Sequence, residues 1–181
     1  MKKILILNAS NSTPEKSING LLASRVASKI LNHPVQQVSM NEYPLPIYQP
    51  GLENGELPDT VASLRQLVRE YEALIIVSPE HNGLMPACFK NAIDWLSRIR
   101  KNGESFFGTA NKPILLLSTS PGNNGGATNL KYMAELMPWW GGDIKGMHSV
   151  GGFYEKYHDG KFDLETEKAL DKLAANFETQ L

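Results

Sequence analysis

The chain has one cysteine, Cys88, so an internal disulfide framework is excluded. It has no apolar run near the ~20 residues that a membrane-spanning helix needs. After Met1-Lys2-Lys3 only four apolar residues precede Asn8, too few for a signal-peptide core, and a cytoplasmic address is expected. Blocks of like charge are also missing. The formal net charge of -1 arises from 18 Lys and Arg interspersed with 19 Asp and Glu, so neither a nucleic acid nor a membrane is an expected partner. Gly-x-Gly-x-x-Gly and the Gly-Lys-Ser/Thr ending of a P-loop are absent, which argues against a dinucleotide fold or an ATP-hydrolysing one. Without a Gly-x-Ser-x-Gly elbow a hydrolase gains no support. His33, His148 and His158 have no companion ligand at metal-binding spacing, and no metal site is expected.

What is present is an alternation. Apolar runs at Ile4–Leu7, Val35–Met40, Ala73–Val77 and Ile114–Leu117 read as buried strands, and a fifth strand is expected near Asp143–Met147. Between them lie helical stripes: Leu21, Leu22, Val26 and Ile30; Leu64, Leu67, Val68 and Tyr71; Met85, Phe89, Ile93 and Leu96; and Leu130, Met133 and Met137, stopped by Pro138. A last helix is expected over Leu164–Phe177. This pattern predicts an α/β fold, a doubly wound parallel sheet covered on both faces, within a single domain spanning residues 1–181. The Pro-rich stretch Tyr43–Gly51 carries aromatic and aliphatic residues and reads as a docked loop rather than a linker.

Three loops at strand carboxyl ends carry chemistry, and ligands of open α/β sheets bind at that edge. The first, Asn8–Gly20, is dense in hydroxyl and amide groups and opens onto a helix, whose unpaired N–H groups and positive dipole end suit a phosphate. Ser17 or Asn19 could equally be a plain helix cap. The second, Ser78-Pro79-Glu80-His81-Asn82-Gly83, joins a strand to a helix, and Asn82 and Gly83 tolerate the positive φ angles that turn backbone amides toward a planar guest. The third, Ser118–Ala127, is glycine-rich, which would let the main chain approach a ring. Lys90 and Asp94 read as an i, i+4 ion pair rather than catalytic groups, and Cys88 as a buried small apolar residue.

Ser-Pro-Glu-His-Asn at 78–82 followed by Lys-Asn-Ala-Ile-Asp-Trp at 90–95 resembles the NAD(P)H-dependent FMN reductase family, whose relatives include chromate, quinone and azo reductases. The resemblance implies a flavodoxin-like three-layer sandwich of five strands, order 2-1-3-4-5, with FMN between the first and third strands. It implies phosphate contacts at Ser10, Ser17, Ile18 and Asn19. The pyrimidine edge would be wrapped by Pro79, Glu80, His81, Asn82 and Gly83, with Ser118, Ser120, Pro121, Gly122 and Gly125 beside the isoalloxazine. The family's usual Gly-Ser-x-Arg-x-x-Ser-x-Asn is matched only at Ser10, Ser17 and Asn19. Its Arg is absent and Lys16 is the one cation nearby, which leaves NADPH or NADH open as the donor. The implied activity is hydride transfer from NAD(P)H through FMN to a small acceptor (free flavin, quinone or azo compound) by a ping-pong mechanism, without a catalytic side chain. A homodimer or homotetramer is implied, with Trp95, Trp139 and Trp140 as interface or ring contacts. The alternative is a flavodoxin-type electron carrier, though its acidic surface is missing. A receiver domain would need acidic residues where Asn8 and Ser78 stand.

Overall fold

The computed structural model describes residues 1–13, 16–100 and 103–181. Strands β1 (Ile4–Asn8), β2 (Val35–Ser39), β3 (Ala73–Val77), β4 (Lys112–Thr119) and β5 (Gly142–Val150) form one parallel sheet in the order 2-1-3-4-5. Successive side chains on a strand point to opposite faces. Leu5, Leu7, Leu74, Ile76, Ile114 and Leu116 therefore pack against α2 (Asp59–Glu70), α3 (Ala87–Arg98) and α4 (Ala127–Trp140). Their neighbours Ile4, Ile6, Ile75, Val77, Leu115 and Leu117 pack against α1 (Ile18–Ala27) and α6 (Leu164–Thr179). With both faces covered, the strands are continuous apolar runs, and each fully buried side chain contributes ~1.5–3 kcal/mol. This is the three-layer, flavodoxin-like sandwich expected.

Several boundaries differ from the expectation. Leu21 leaves the stripe of α1 and is 38% exposed, while Leu22, Ala23 and Val26 are buried; Ile30 is buried but follows the helix. Helix α3 begins at Ala87 rather than Met85, because a residue before proline avoids the helical region, and Pro86 takes the cap position. Met85 still joins Phe89, Ile93 and Leu96 in the core. Pro138 does not stop α4. It sits in the last turn, and the helix runs to Trp140, ending at Gly141 with φ 91°, whose N–H bonds back to Met137 and Pro138. Strand β5 is longer than predicted, and Gly142 and Gly146 belong to it because neighbours crowd them. A Cβ at Gly142 would lie 2.4 Å from Ile114.

Two elements carry charges that hid them. Strand β4 starts at Lys112, which is buried, donates from Nζ to the carbonyls of Val68 and Tyr71 at the end of α2, and has its pKa lowered to about 8 by desolvation. Beyond β5, α5 (Phe153–Lys156) and the antiparallel pair β6 (Tyr157–His158) and β7 (Lys161–Phe162) fold over an Asp159-Gly160 turn with both φ angles positive. Phe153, Tyr157 and Phe162 bring this piece onto the α1/α6 side of the core.

The Tyr43–Gly51 stretch is docked, as expected. Pro46 carbonyl accepts from Trp95 Nε1 at 2.8 Å and Asn91 Nδ2 at 3.0 Å, and Asn91 Oδ1 accepts from Tyr48 N–H at 2.9 Å. Two residues of the Lys90–Trp95 motif thus hold a loop.

Helix α1, which opens from the first candidate loop, is fastened to the C-terminal segment. Arg25 grips Glu167 through two bonds, 2.6 and 2.8 Å, and Lys29 adds a third at 2.6 Å. The Arg25 fork above all, then Lys29, lowers the Glu167 pKa from 4.5 to about 2. A carboxyl depressed on folding adds stability above its unfolded pKa and loses it as pH falls through the folded one. Denaturant unfolding should therefore show a loss of stability between pH ~4.5 and ~2 that Glu167→Gln reduces, the remainder belonging to other depressed carboxyls such as Glu53 and Asp163. An unchanged acid limb in the variant would contradict this.

A three-loop candidate cofactor cleft

All five strands run the same way, so the loops after β1, β3 and β4 meet at one edge of the sheet. They enclose a cleft of about 150 Å³ lined by Ser10, Ser12, Lys16, Ser17, Ile18, Asn19, Pro79, Glu80, His81, Thr119, Ser120 and Pro121. This is below the ~300–1,000 Å³ of pockets that enclose drug-sized ligands, so part of a nucleotide-sized guest would stay outside.

The first loop leaves β1 at Asn8, which is buried. Its Oδ1 accepts from Ser10 N–H at 3.2 Å and its Nδ2 donates to Ser17 Oγ at 3.2 Å. Ser17 caps α1, accepting the Gly20 N–H at 2.9 Å. With two donors already on its oxygen, the Ser17 hydroxyl proton remains to be donated, so cap and ligand are compatible roles. The N–H groups of Ile18 and Asn19, the first two of α1, have no partner among the described residues. These donors at a positive helix end suit an anion. The Asn19 side chain is otherwise engaged. Its Nδ2 donates to the Thr119 carbonyl and its Oδ1 accepts from the Thr119 N–H, both at 3.0 Å.

The second loop ends in a two-residue turn. His81 and Leu84 exchange main-chain bonds of 2.8 and 3.1 Å around Asn82 (φ 53°) and Gly83 (φ 84°), the pattern that favours Asn-Gly. The main-chain N–H groups of Glu80, Asn82 and Gly83 have no partner among the described residues. Glu80 lines the cleft, yet its carboxylate serves α4: Oε2 accepts from Asn129 N–H at 3.0 Å and from Asn124 Nδ2 at 3.3 Å. Helix α4 has Gly126 at its cap position, which supplies no side chain, so Glu80 caps it from another loop. Asn129, fully buried, returns the tie by donating to Ser78 Oγ and Pro79 carbonyl, each at 3.0 Å.

The structure brings Ser10, Ser17, Ile18, Asn19, Pro79, Glu80, His81, Ser120 and Pro121 to the cleft. Asn82, Gly83 and Gly122 lie on the adjoining loops outside its lining, and Ser118 and Gly125 are packing positions. Ser118 is fully buried, its hydroxyl has no hydrogen-bond partner among the described residues, and a Cβ on Gly126 would strike it at 2.0 Å. Gly125 at φ 60° lets the loop pass β5, where a Cβ would lie 2.6 Å from Gly151 N. Of the tryptophans, Trp95 is in the core and Trp140 is buried against Phe106, whereas Trp139 is 84% exposed. Lys90 and Asp94 form the expected surface pair, 2.6 Å. Cys88 is half-buried with Sγ 3.6 Å from Ala9 carbonyl, and burial raises its pKa. The sequence carries no signal for the tasks of Thr119 and Asn129, which bond main chain distant in sequence, at Val150 and Pro79, or of the Asn8 side chain, which bonds Ser10 N–H and the Ser17 hydroxyl within its own loop.

Removing the Asn19 carboxamide would leave two buried groups of Thr119 unpaired. Asn19→Ala should therefore lower unfolding free energy by about 2 kcal/mol or more, whereas Ser17→Ala, losing a cap, should cost ~1 kcal/mol. Equal effects in denaturant titrations would show that the α1-to-β4 tie carries no special weight.

Comparisons with known proteins bear on the family and the fold. Residues 2–153 match the profile of a family described as NADPH-dependent FMN reductase. A quinone reductase of Escherichia coli (strain K12) is 30% identical over 141 residues, 75% of this chain and 70% of that protein. An uncharacterized protein of Mycoplasma pneumoniae, described as an MG342 homolog, is 33% identical over 163 residues, 90% and 92% of the two chains. Among solved structures, a flavoenzyme NAD(P)H:(acceptor) oxidoreductase from Paracoccus denitrificans superposes with a TM-score of 0.71 at 22% identity, covering 99% of this chain and 98% of that one, which speaks to the fold. With a family match over most of its length and the fold that the match implies, the chain belongs to the NADPH-dependent FMN reductase family.

Proposed function

We propose that the chain binds FMN across the three-loop cleft and passes hydride from NADPH or NADH to a small acceptor such as a quinone, a free flavin or an azo compound, the two substrates reacting in turn. NAD(P)H-dependent oxidoreductase chemistry with FMN comes with the family. The acceptor, the ping-pong order and the residue roles are this proposal's own. The observation that carries it is the convergence, at one sheet edge, of donors without a partner among the described residues: Ile18 and Asn19 N–H with the Ser17 hydroxyl on one side, Glu80, Asn82 and Gly83 N–H on the other. The first set would hold the phosphate, with Lys16 as the cation in the lining, and the second the pyrimidine edge. Because Glu80 already caps α4, its carboxylate is held by an amide and a carboxamide rather than aimed unpaired at the phosphate. Bound there, FMN supplies hydride acceptance and donation at its N5. The chain binds, orients and leaves part of the guest uncovered; no side chain need act as acid or base.

We place residues 1–181 in one FMN-binding unit, acting in the cytoplasm as a homodimer or homotetramer. An oligomer is supported by the outer face of α4, where Tyr132, Leu136 and Trp139 stand exposed at helical spacing. No helix among the described residues is long and apolar enough to cross a membrane.

Visible spectroscopy of the purified protein tests the proposal. FMN should bind more tightly than riboflavin, which lacks the phosphate, and anaerobic NADPH or NADH should bleach the flavin until a quinone is added. Equal affinities for FMN and riboflavin would remove the α1 terminus from the site. Gly83→Val adds a β-branched residue at φ 84°, where strain is ~1–3 kcal/mol but no atom lies within 4 Å of the new Cβ. The variant should keep its circular dichroism and lose FMN affinity together with NAD(P)H-dependent reduction. Retention of both would overturn the pyrimidine clamp.

A further inference from the structure

Asn-Gly occurs at 19–20, 54–55, 82–83, 102–103 and 124–125. Glycine lacks the Cβ that shields its main-chain nitrogen. That nitrogen can attack the preceding asparagine's side-chain carbonyl: the N–Cγ bond forms, the amide proton is lost and ammonia leaves, giving a succinimide. Water then opens one of the two ring carbonyls to aspartate or isoaspartate. The balance is one water consumed and one ammonia released, with no redox partner.

Folding protects these pairs unequally. The Asn19 carboxamide is held by Thr119, and Gly20 N–H donates to Ser17. Asn124 donates to Glu80 and Thr128, and Gly125 N–H to Gly122 carbonyl at 3.3 Å. The Asn54 carboxamide has no partner among the described residues, but Gly55 N–H donates to Leu52 carbonyl at 3.4 Å. Asn102 lies outside the described residues. At 82–83, neither the carboxamide nor the glycine N–H has a hydrogen-bond partner among the described residues. Asn82 is exposed, and the space a Gly83 Cβ would take is empty to 4 Å. Among the described residues, the two bonds between His81 and Leu84 are the hydrogen bonds that hold the turn closed.

We infer that Asn82-Gly83 is a spontaneous deamidation site, and that bound FMN shields it; the second half rests on the proposed clamp. Conversion places a new carboxylate in the turn, and the isoaspartyl product lengthens its main chain by one methylene. A turn of two residues cannot absorb that and keep both His81–Leu84 bonds. The FMN-free protein would thus lose its capacity to take up FMN with age.

Peptide mapping by mass spectrometry tests this on the purified protein held in mildly alkaline buffer, with and without saturating FMN. Without FMN, Asn82 should convert several-fold faster than Asn19, Asn54 and Asn124, and FMN affinity should decline in parallel. Asn82→Gln, whose cyclisation would need a six-membered ring, should keep its own starting affinity on ageing. Conversion at Asn54 or Asn124 with Asn82 intact would overturn the site. Fast conversion at Asn82 that proceeds unchanged while the spectrum shows FMN bound would support the labile site and overturn the shielding, and with it the clamp.

Discussion

Strand β4 runs two residues further than its neighbour β3 can follow: the main-chain ladder between them ends with Ser78 N–H on Leu117 carbonyl. Thr119 would then face that side with a buried N–H and C=O and no strand. Asn19, one hundred residues earlier, supplies both partners, its carboxamide standing where a peptide group would be. The other side of Thr119 is fixed through its Oγ1, which donates to Val150 carbonyl at 2.7 Å. Because an unpaired buried main-chain group costs ~1–3 kcal/mol, this closure sets where α1 begins relative to the β4 loop. It thereby sets where the Ile18 and Asn19 amides point. Arg25 and Lys29 hold the same helix at its other end.

A second constraint is electrostatic. An anion-binding cleft with a glutamate in its wall would work against itself unless that charge were occupied. Glu80 lies at the positive end of α4 and accepts the Asn129 amide, and Asn129 binds back to the exit of β3. The β3 and β4 loops are therefore cross-tied in both directions, charge to helix end and carboxamide to main chain. Among the described residues Lys16 is the cation lining the cleft, so the phosphate would rest mainly on amides and a hydroxyl rather than on a guanidinium. Such a site depends on geometry more than on charge, which is why its positioning bonds are buried.

The parallel sheet, its strand order through the family resemblance, and the three convergent loops were legible in the sequence, because the apolar runs are unbroken and each ends in Gly, Pro, Asn or Ser. Lys112 was not, since a charged residue reads as a strand boundary until the carbonyls of Val68 and Tyr71 are seen around it. Pro138 reads as a stop, yet it stands inside the last turn of α4, and Gly141, at positive φ, ends the helix instead. The hairpin at 157–162 had its signal in Asp159-Gly160, yet strands of two residues show no alternation. In the cleft, the residues at the loop ends are legible, but the bonds they make within the protein are not. The Asn19 side chain holds the main chain of Thr119, and Ser118 and Gly125 fill space beneath the third loop. Those tasks are set by contacts across the sheet, which spacing along the chain does not encode.

The cleft's parts are fastened to different degrees. The first and third loops are joined through Asn19 and Thr119, and the second and third through Glu80 and Asn129, whereas the tip at 81–84 is closed by its own two main-chain bonds. Asn82 and Gly83 stand at positive φ, and their amides have no partner among the described residues. Under the proposed clamp, a tip that gives its donors to a guest does not also protect them by bonding them within the protein. Its rigidity, and its resistance to attack by its own glycine nitrogen, would then come from the guest. Cofactor occupancy and the chemical integrity of the turn would become one property, while the buried ties among the three loops keep the rest of the site in place whether or not the guest is there.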